Sequence, residues 1–163
     1  MRSDLVTVLI GPTEAAVGVS DARVMRQALL DTIDRAEREL IVVGYMIDDD
    51  QIVERICSKP ASVIVIVHVD KKQTMDWSRA KAAVRNMRKS GAMVKLHDEG
   101  SRESLHAKVI VADSKEAIVG SANLTSRGAD RNFEVGVRIR GPSVRTLRDA
   151  MIENLGGGED NAE

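Results

Sequence analysis

Residues 62–97 read SVIVIVHVDKKQTMDWSRAKAAVRNMRKSGAMVKLH, two apolar stretches separated by a pattern with helical period. The first stretch, from Ser62 to Val69, is β-branched and almost continuously apolar, as a strand buried on both faces must be. Trp77, Ala80, Val84 and Met87 then recur at spacings of three and four, which places them on one face of a helix over residues 74–90, and Gly91 supplies its stop. Met93 to His97 resumes the strand pattern. A strand, a crossover helix and a second strand predict a right-handed parallel βαβ unit, and with it an α/β fold.

Outward from this unit, strand patterns occupy residues 5–10, 40–45, 105–112, 117–120 and 133–139. A second amphipathic helix is written by Met25, Leu29, Ile33, Ala36 and Leu40, and a last one over residues 143–155 by Val144, Leu147, Met151 and Leu155. The later strands follow one another too closely for helices between them. The expected architecture is therefore a mixed, mostly parallel β-sheet sandwiched between helices on both faces. No repeat or linker divides residues 1–155, which read as one domain, and the glycine-rich acidic residues 156–163 read as a disordered tail.

Composition narrows the chemistry. With 43% hydrophobic and 30% charged residues, the 163-residue chain is an ordinary soluble domain, but only 2% are aromatic, so its core must be aliphatic. The same scarcity argues against recognition of bases by stacking on aromatic platforms. The net charge of −1 conceals an asymmetry: residues 61–140 hold 15 basic and 9 acidic side chains, while both flanks are acidic. That middle segment offers a local positive field to phosphate. Cys57 is the sole cysteine and reads as a small core residue, which excludes an internal disulfide and a thiolate zinc site and fits a reducing compartment. The longest apolar runs fall far short of a membrane span or signal core, so a cytoplasmic location is expected.

The chemistry concentrates in residues 105–123, LHAKVIVADSKEAIVGSAN, which contain His106, Lys108, Asp113, Gly120, Ser121 and Asn123 in the pattern H-x-K-x4-D-x6-G-S-x-N. Six fixed positions coincide by chance at a given start only about once in 10⁸. In an extended chain His106 and Lys108 share one face, while Ala107, Val109 and Val111 face the other, toward a core. A neutral imidazole is a nucleophile near pH 7, and an ammonium supplies the charge a transferring phosphoryl group needs. Ser121 and Asn123 can donate hydrogen bonds to non-bridging oxygens. Glu134 alternates on its own strand pattern with Phe133, Val135 and Val137, and could accept from the second ring nitrogen of His106.

This motif resembles the signature of the phospholipase D superfamily, whose members cleave phosphodiesters in lipids or nucleic acids. The resemblance extends through Asn132, Phe133 and Glu134, where that family places an acidic partner for the histidine, and more weakly back over residues 40–52. A single motif in a short chain is similar to the small bacterial endonucleases of the superfamily, which are homodimers. The run SANLTSRG followed by NFE is also similar to phospholipase D-like proteins of bacterial phage-defence clusters, DISARM systems included. The resemblance implies the superfamily fold and places Asp113 within the signature in a supporting role, not as nucleophile. It also implies catalysis without a cofactor or divalent ion.

Several residues keep an alternative reading. His106 and Lys108 could be the polar face of an edge strand, and an inactive copy of the motif would look the same. Asp113 stands where an aspartate commonly makes a turn. Asp48, Asp49 and Asp50 form a carboxylate run, but Asp50 precedes an apolar helix-like pattern as an N-cap would. In-line displacement at phosphorus needs a second acid opposite the nucleophile; His106 of a second copy would supply it, with His68 and His97 as the alternatives within one chain. Substrate contacts fall to Lys108, Ser121, Asn123, Arg102, Arg127 and Arg131, and the 74–90 helix adds Lys81, Arg85, Arg88 and Lys89 on one face. The expected activity is a metal-independent nuclease acting on DNA or RNA through a phosphohistidine. A phospholipid-hydrolysing enzyme and a non-catalytic nucleic-acid-binding subunit of a defence complex are the other two readings.

Overall fold

The computed structural model describes residues 3–12, 23–69, 77–98 and 105–155. Its elements are β1 (Leu5–Gly11), β2 (Arg23–Val24), α1 (Met25–Arg35), β3 (Glu39–Gly44), α2 (Asp50–Cys57), β4 (Ser62–Val69), α3 (Trp77–Lys89), β5 (Met93–Asp98), β6 (Val109–Ala112), β7 (Glu116–Gly120), α4 (Ser126–Asp130), β8 (Glu134–Arg140) and α5 (Ser143–Leu155). The strands form one sheet in the order β2-β1-β8-β7-β6-β3-β4-β5. The expected tail at 156–163, residues 74–76 of the expected helix, and Arg102 lie outside the described residues.

The mixed α/β sandwich agrees with the sequence, but the sheet is not mostly parallel. β1–β2, β3–β4 and β4–β5 pair parallel, whereas β1–β8, β8–β7, β7–β6 and β6–β3 pair antiparallel. The reason is connection length: only three residues join β6 to β7, which permits a hairpin and forbids a crossover.

Continuous apolar strands are explained by two cores. Leu40, Val42, Val63, Val65, Val67 and Ile110 pack with α1, α2 and α3 on one face, and Ile41, Val43, Ile66, Val109 and Val111 pack with α5 on the other. Each fully buried Val or Ile stabilises the fold by roughly 1.5–3 kcal/mol relative to exposure. The second core stops short of the β1–β8 side, where Leu5, Val6, Val8, Phe133 and Val135 are exposed. α3 ends at Gly91, whose φ of 94° suits glycine and lets Ala92 N–H donate back to Met87 O at 3.0 Å.

Asp113 belongs to this scaffold rather than to the site. It lies at the end of β6 away from Lys108, and its carboxylate accepts from the backbone N–H groups of Glu37, Arg38 and Glu39 at 2.8–3.0 Å. These bonds hold the α1–β3 turn, which is why α1 ends at Arg35 and Leu40 enters β3 instead of extending the helix. They also offset the positive φ of Asp113 (55°) and Ser114 (54°) in the β6–β7 turn. Burial pushes the Asp113 carboxyl up, but the three N–H donors outweigh it and hold the group below its ordinary value. A depressed folded-state pKa gives stability that is present at neutral pH and is lost as pH falls through that value. Asp113→Ala should cost about 2–3 kcal/mol at pH 7, read as a urea-midpoint shift, and the gap from the native protein should narrow below about pH 4. A gap that stays constant down to the acid transition would refute this role.

Candidate active site

Strand order decides which residues meet. β3 and β4 end at the same edge of the sheet at which β6 begins, and β7 ends and β8 begins there too. Tyr45 follows β3, His68 is near the end of β4, His106 and Lys108 precede β6, Ser121 follows β7 and Glu134 opens β8. All of the chain's histidines lie toward this edge, since His68 is the register partner of His97 on β5.

Residues 105–108 are extended but run just ahead of the ladder. Leu105 and Val109 anchor them in the core under α5, so alternation puts His106 and Lys108 together on the opposite face, as expected. His106 is exposed and Lys108 is buried. The Lys108 ammonium donates to His106 O at 2.8 Å and stands 3.0 Å from His106 Nδ1. Burial lowers the Lys108 pKa, and the opposing charge of Glu134 only partly restores it.

Glu134 is buried and held in place. One carboxylate oxygen accepts the Ser121 hydroxyl, the other accepts Asn132 Nδ2 at 3.3 Å. The expected hydrogen bond from His106 to Glu134 is not made; the Glu134 charge acts on Lys108 instead. Ser121 is further fixed by Val135 N–H, which donates to its Oγ at 3.2 Å.

Asn123 sits in the loop after β7 between buried Ala122 and Leu124, and Ala122 lines the same small cavity as Lys108. Its Oδ1 is buried with no hydrogen-bond partner among the described residues. The loop is clamped by Asp48 and Asp49 N–H groups on Leu124 O at 3.1 and 3.2 Å, and by α4, whose Gly128 leaves no room for a side chain: a Cβ there would lie 2.4 Å from Asn123 O. Arg127 and Arg131, both exposed, flank Asn132. The stripe of Lys81, Arg85, Arg88 and Lys89 instead runs along α3 away from this edge, and Arg88 is tied to Val94 O.

The carboxylate run is structural in part. Asp49, not Asp50, caps α2 through Ile52 N–H at 3.0 Å and receives a forked pair of bonds from Arg26. Burial raises its pKa, but Arg26 and the cap bond prevail and keep it ionised. Asp50 pairs with Arg79.

Tyr45 escaped sequence reasoning, and His68 was read there only as an alternative acid. Tyr45 stacks on His68 with ring centroids 4.7 Å apart and planes 15° apart, and lies 5.7 Å from the His106 ring. The Lys108 ammonium is 6.0 Å from the Tyr45 centroid. The available signal was their position at the carboxyl ends of two parallel strands, where α/β sheets bind ligands.

Known proteins share much of this sequence and its fold. Residues 29–155 match the family described as cardiolipin synthase, PLD-like domain. The chain is 29% identical over 126 residues to the DISARM protein DrmC of Bacillus paralicheniformis, covering 76% of this chain and 52% of that protein. It is 27% identical over 119 residues to cardiolipin synthase A of Serratia proteamaculans, covering 71% of this chain and 24% of that one. It thus spans about half of the first relative and a quarter of the second. The crystal structure of Nuc from Salmonella typhimurium, a phospholipase D family member, superimposes with a TM-score of 0.79 at 20% identity, over 99% of this chain and 100% of that one.

Proposed function

The chain belongs to the phospholipase D-like family, and from that membership we propose that it is a metal-independent nuclease whose His106 forms a phosphohistidine in a site shared by two copies. The observation that carries this reading is the exposed His106 imidazole beside a buried ammonium, with Ser121, Asn123 and Glu134 at the same sheet edge. An imidazole lone pair of His106 attacks phosphorus, and the bond to the departing oxygen breaks as that oxygen takes a proton from an acid on the opposite side. Water then attacks phosphorus, giving its proton to the same group, and the P–N bond breaks with its electron pair returning to the His106 imidazole. Lys108 neutralises charge on the non-bridging oxygens, to which the Asn123 amide and, on leaving Glu134, the Ser121 hydroxyl donate hydrogen bonds.

The second acid is best supplied by His106 of a second copy. His68 is 1% exposed and stacked under Tyr45, so it presents no surface to a leaving group. His97 stands on β5, three strands from β6 and roughly 14 Å away at ordinary strand spacing. The exposed apolar face of β1 and β8, which reaches Phe133 and Val135 beside Glu134, supports a self-association surface at this edge. Arg127 and Arg131 would hold the nucleic-acid backbone without reading bases. Location in the cytoplasm and defence-system partners, suggested by the likeness to DrmC, belong to the same reading.

The test is cleavage of labelled single- and double-stranded DNA and RNA in excess chelator, across a salt series. Turnover that survives chelator and falls steeply with salt supports the proposal. Turnover restored only by a divalent ion refutes its metal-free step. The cardiolipin synthase relatives favour a second reading, phosphatidyl transfer. No described helix is long and apolar enough to cross a membrane, and the same assay on phosphatidylglycerol vesicles distinguishes the two. Tight, salt-sensitive DNA binding without turnover of any substrate would instead identify a non-catalytic subunit.

A further inference from the structure

Tyr45 is one of three aromatic residues in the chain, and its ring is committed to protein groups on several sides. Resting on the assignment of His106 and Lys108 above, we propose that Tyr45, braced by His68, is a positioning residue that holds the His106 imidazole and the Lys108 ammonium in their working geometry. His106 needs such a wall. It is exposed, and it precedes the β6 ladder, so strand pairing does not fix its ring. Tyr45 meets that ring at 5.7 Å and a 46° tilt, within the range of favourable aromatic contacts.

Lys108 needs the same wall for a different reason. Its ammonium is buried, and the electron-rich face of an aromatic ring at 6.0 Å returns part of the interaction lost with water. An aliphatic side chain at position 45 would fill the volume without attracting the cation. His68 completes the device: it is fully buried at the end of β4, the strand next to β3, and stacks nearly parallel on Tyr45, so the tyrosine cannot swing away from the site. With a stacked imidazole on the ring and an ammonium above it, Tyr45 is no platform for a nucleic-acid base, in keeping with the scarcity of aromatic residues.

The experiment compares Tyr45→Ala, Tyr45→Leu and Tyr45→Phe in the full chain, with bis-p-nitrophenyl phosphate as substrate and the histidine ring resonances followed by NMR; three histidines give a tractable spectrum. Tyr45→Ala and Tyr45→Leu should lower kcat about 30- to 100-fold while leaving KM within about threefold, as expected for a misplaced catalytic group. Tyr45→Phe should retain kcat within about threefold, because the ring and not the hydroxyl acts. The His106 titration midpoint should move in the alanine and leucine variants and stay in the phenylalanine variant. Wild-type kcat in Tyr45→Leu overturns the proposal, as does a loss in Tyr45→Phe equal to that in Tyr45→Leu. Should Tyr45→Ala not fold, the leucine variant decides. If a His106→Ala protein keeps its turnover, the reading of the site has failed, and an unmoved His106 titration in Tyr45→Leu then overturns the positioning role by itself.

Discussion

His106→Ala should lower phosphodiester turnover by about 10⁴-fold or more, the scale on which removal of a covalent nucleophile acts. The loss should be almost wholly in kcat, because the phosphate-facing groups Lys108, Ser121 and Asn123 are untouched. Stability should change by no more than about 0.5 kcal/mol, since the side chain is exposed and makes no buried packing contribution. Rapid acid-free denaturation during turnover of a labelled substrate should trap an acid-labile, alkali-stable phosphoprotein in the native chain and none in the variant. Normal turnover by His106→Ala, or equal labelling of it, would remove His106 from the chemistry.

Lys108→Met should separate activity from stability. Turnover should fall by about 10²–10³-fold, comparable to deleting one preorganised donor from a transition-state site. The fold should hold or gain stability, because methionine keeps most of the buried stem and removes an ammonium that is costly to desolvate. The lowered pKa of Lys108 gives the same sign: below its folded-state value the buried group carries a charge that the unfolded chain solvates better, so native stability should rise as pH climbs from that value toward 10.4. The alkaline limb of kcat should accordingly begin below the ordinary lysine range. A variant that is both fully active and markedly less stable would mean that Lys108 is a structural lysine.

Residue patterns carried much of this description. α5 spans the predicted Ser143–Leu155, Gly91 ends α3, and alternation correctly puts His106 and Lys108 opposite the core-facing Leu105, Ala107 and Val109. Such features depend on periods of two or 3.6 residues and on local turn chemistry, which neighbours in sequence express directly. Asp113 was less legible. Its place in a motif with His106 and Lys108 suggests shared chemistry, yet a four-residue strand separates it from Lys108 and turns it toward the backbone of Glu37, Arg38 and Glu39. Phe133 and Val135 fall in an apolar strand pattern, yet both are exposed.

The sequence by itself determined the α/β class, the aliphatic cores and the identity of the motif residues, because each rests on composition or on short-range periodicity. Tertiary structure alone decided that antiparallel pairing outweighs parallel, that Ser121 and Asn132 hold Glu134, and that Tyr45, stacked on His68, stands against His106. These follow from which strand ends become neighbours in the sheet. That choice brings Tyr45 to residues 23 and 61 positions away, and it is set by connection length and the burial of two faces at once, which no local pattern encodes.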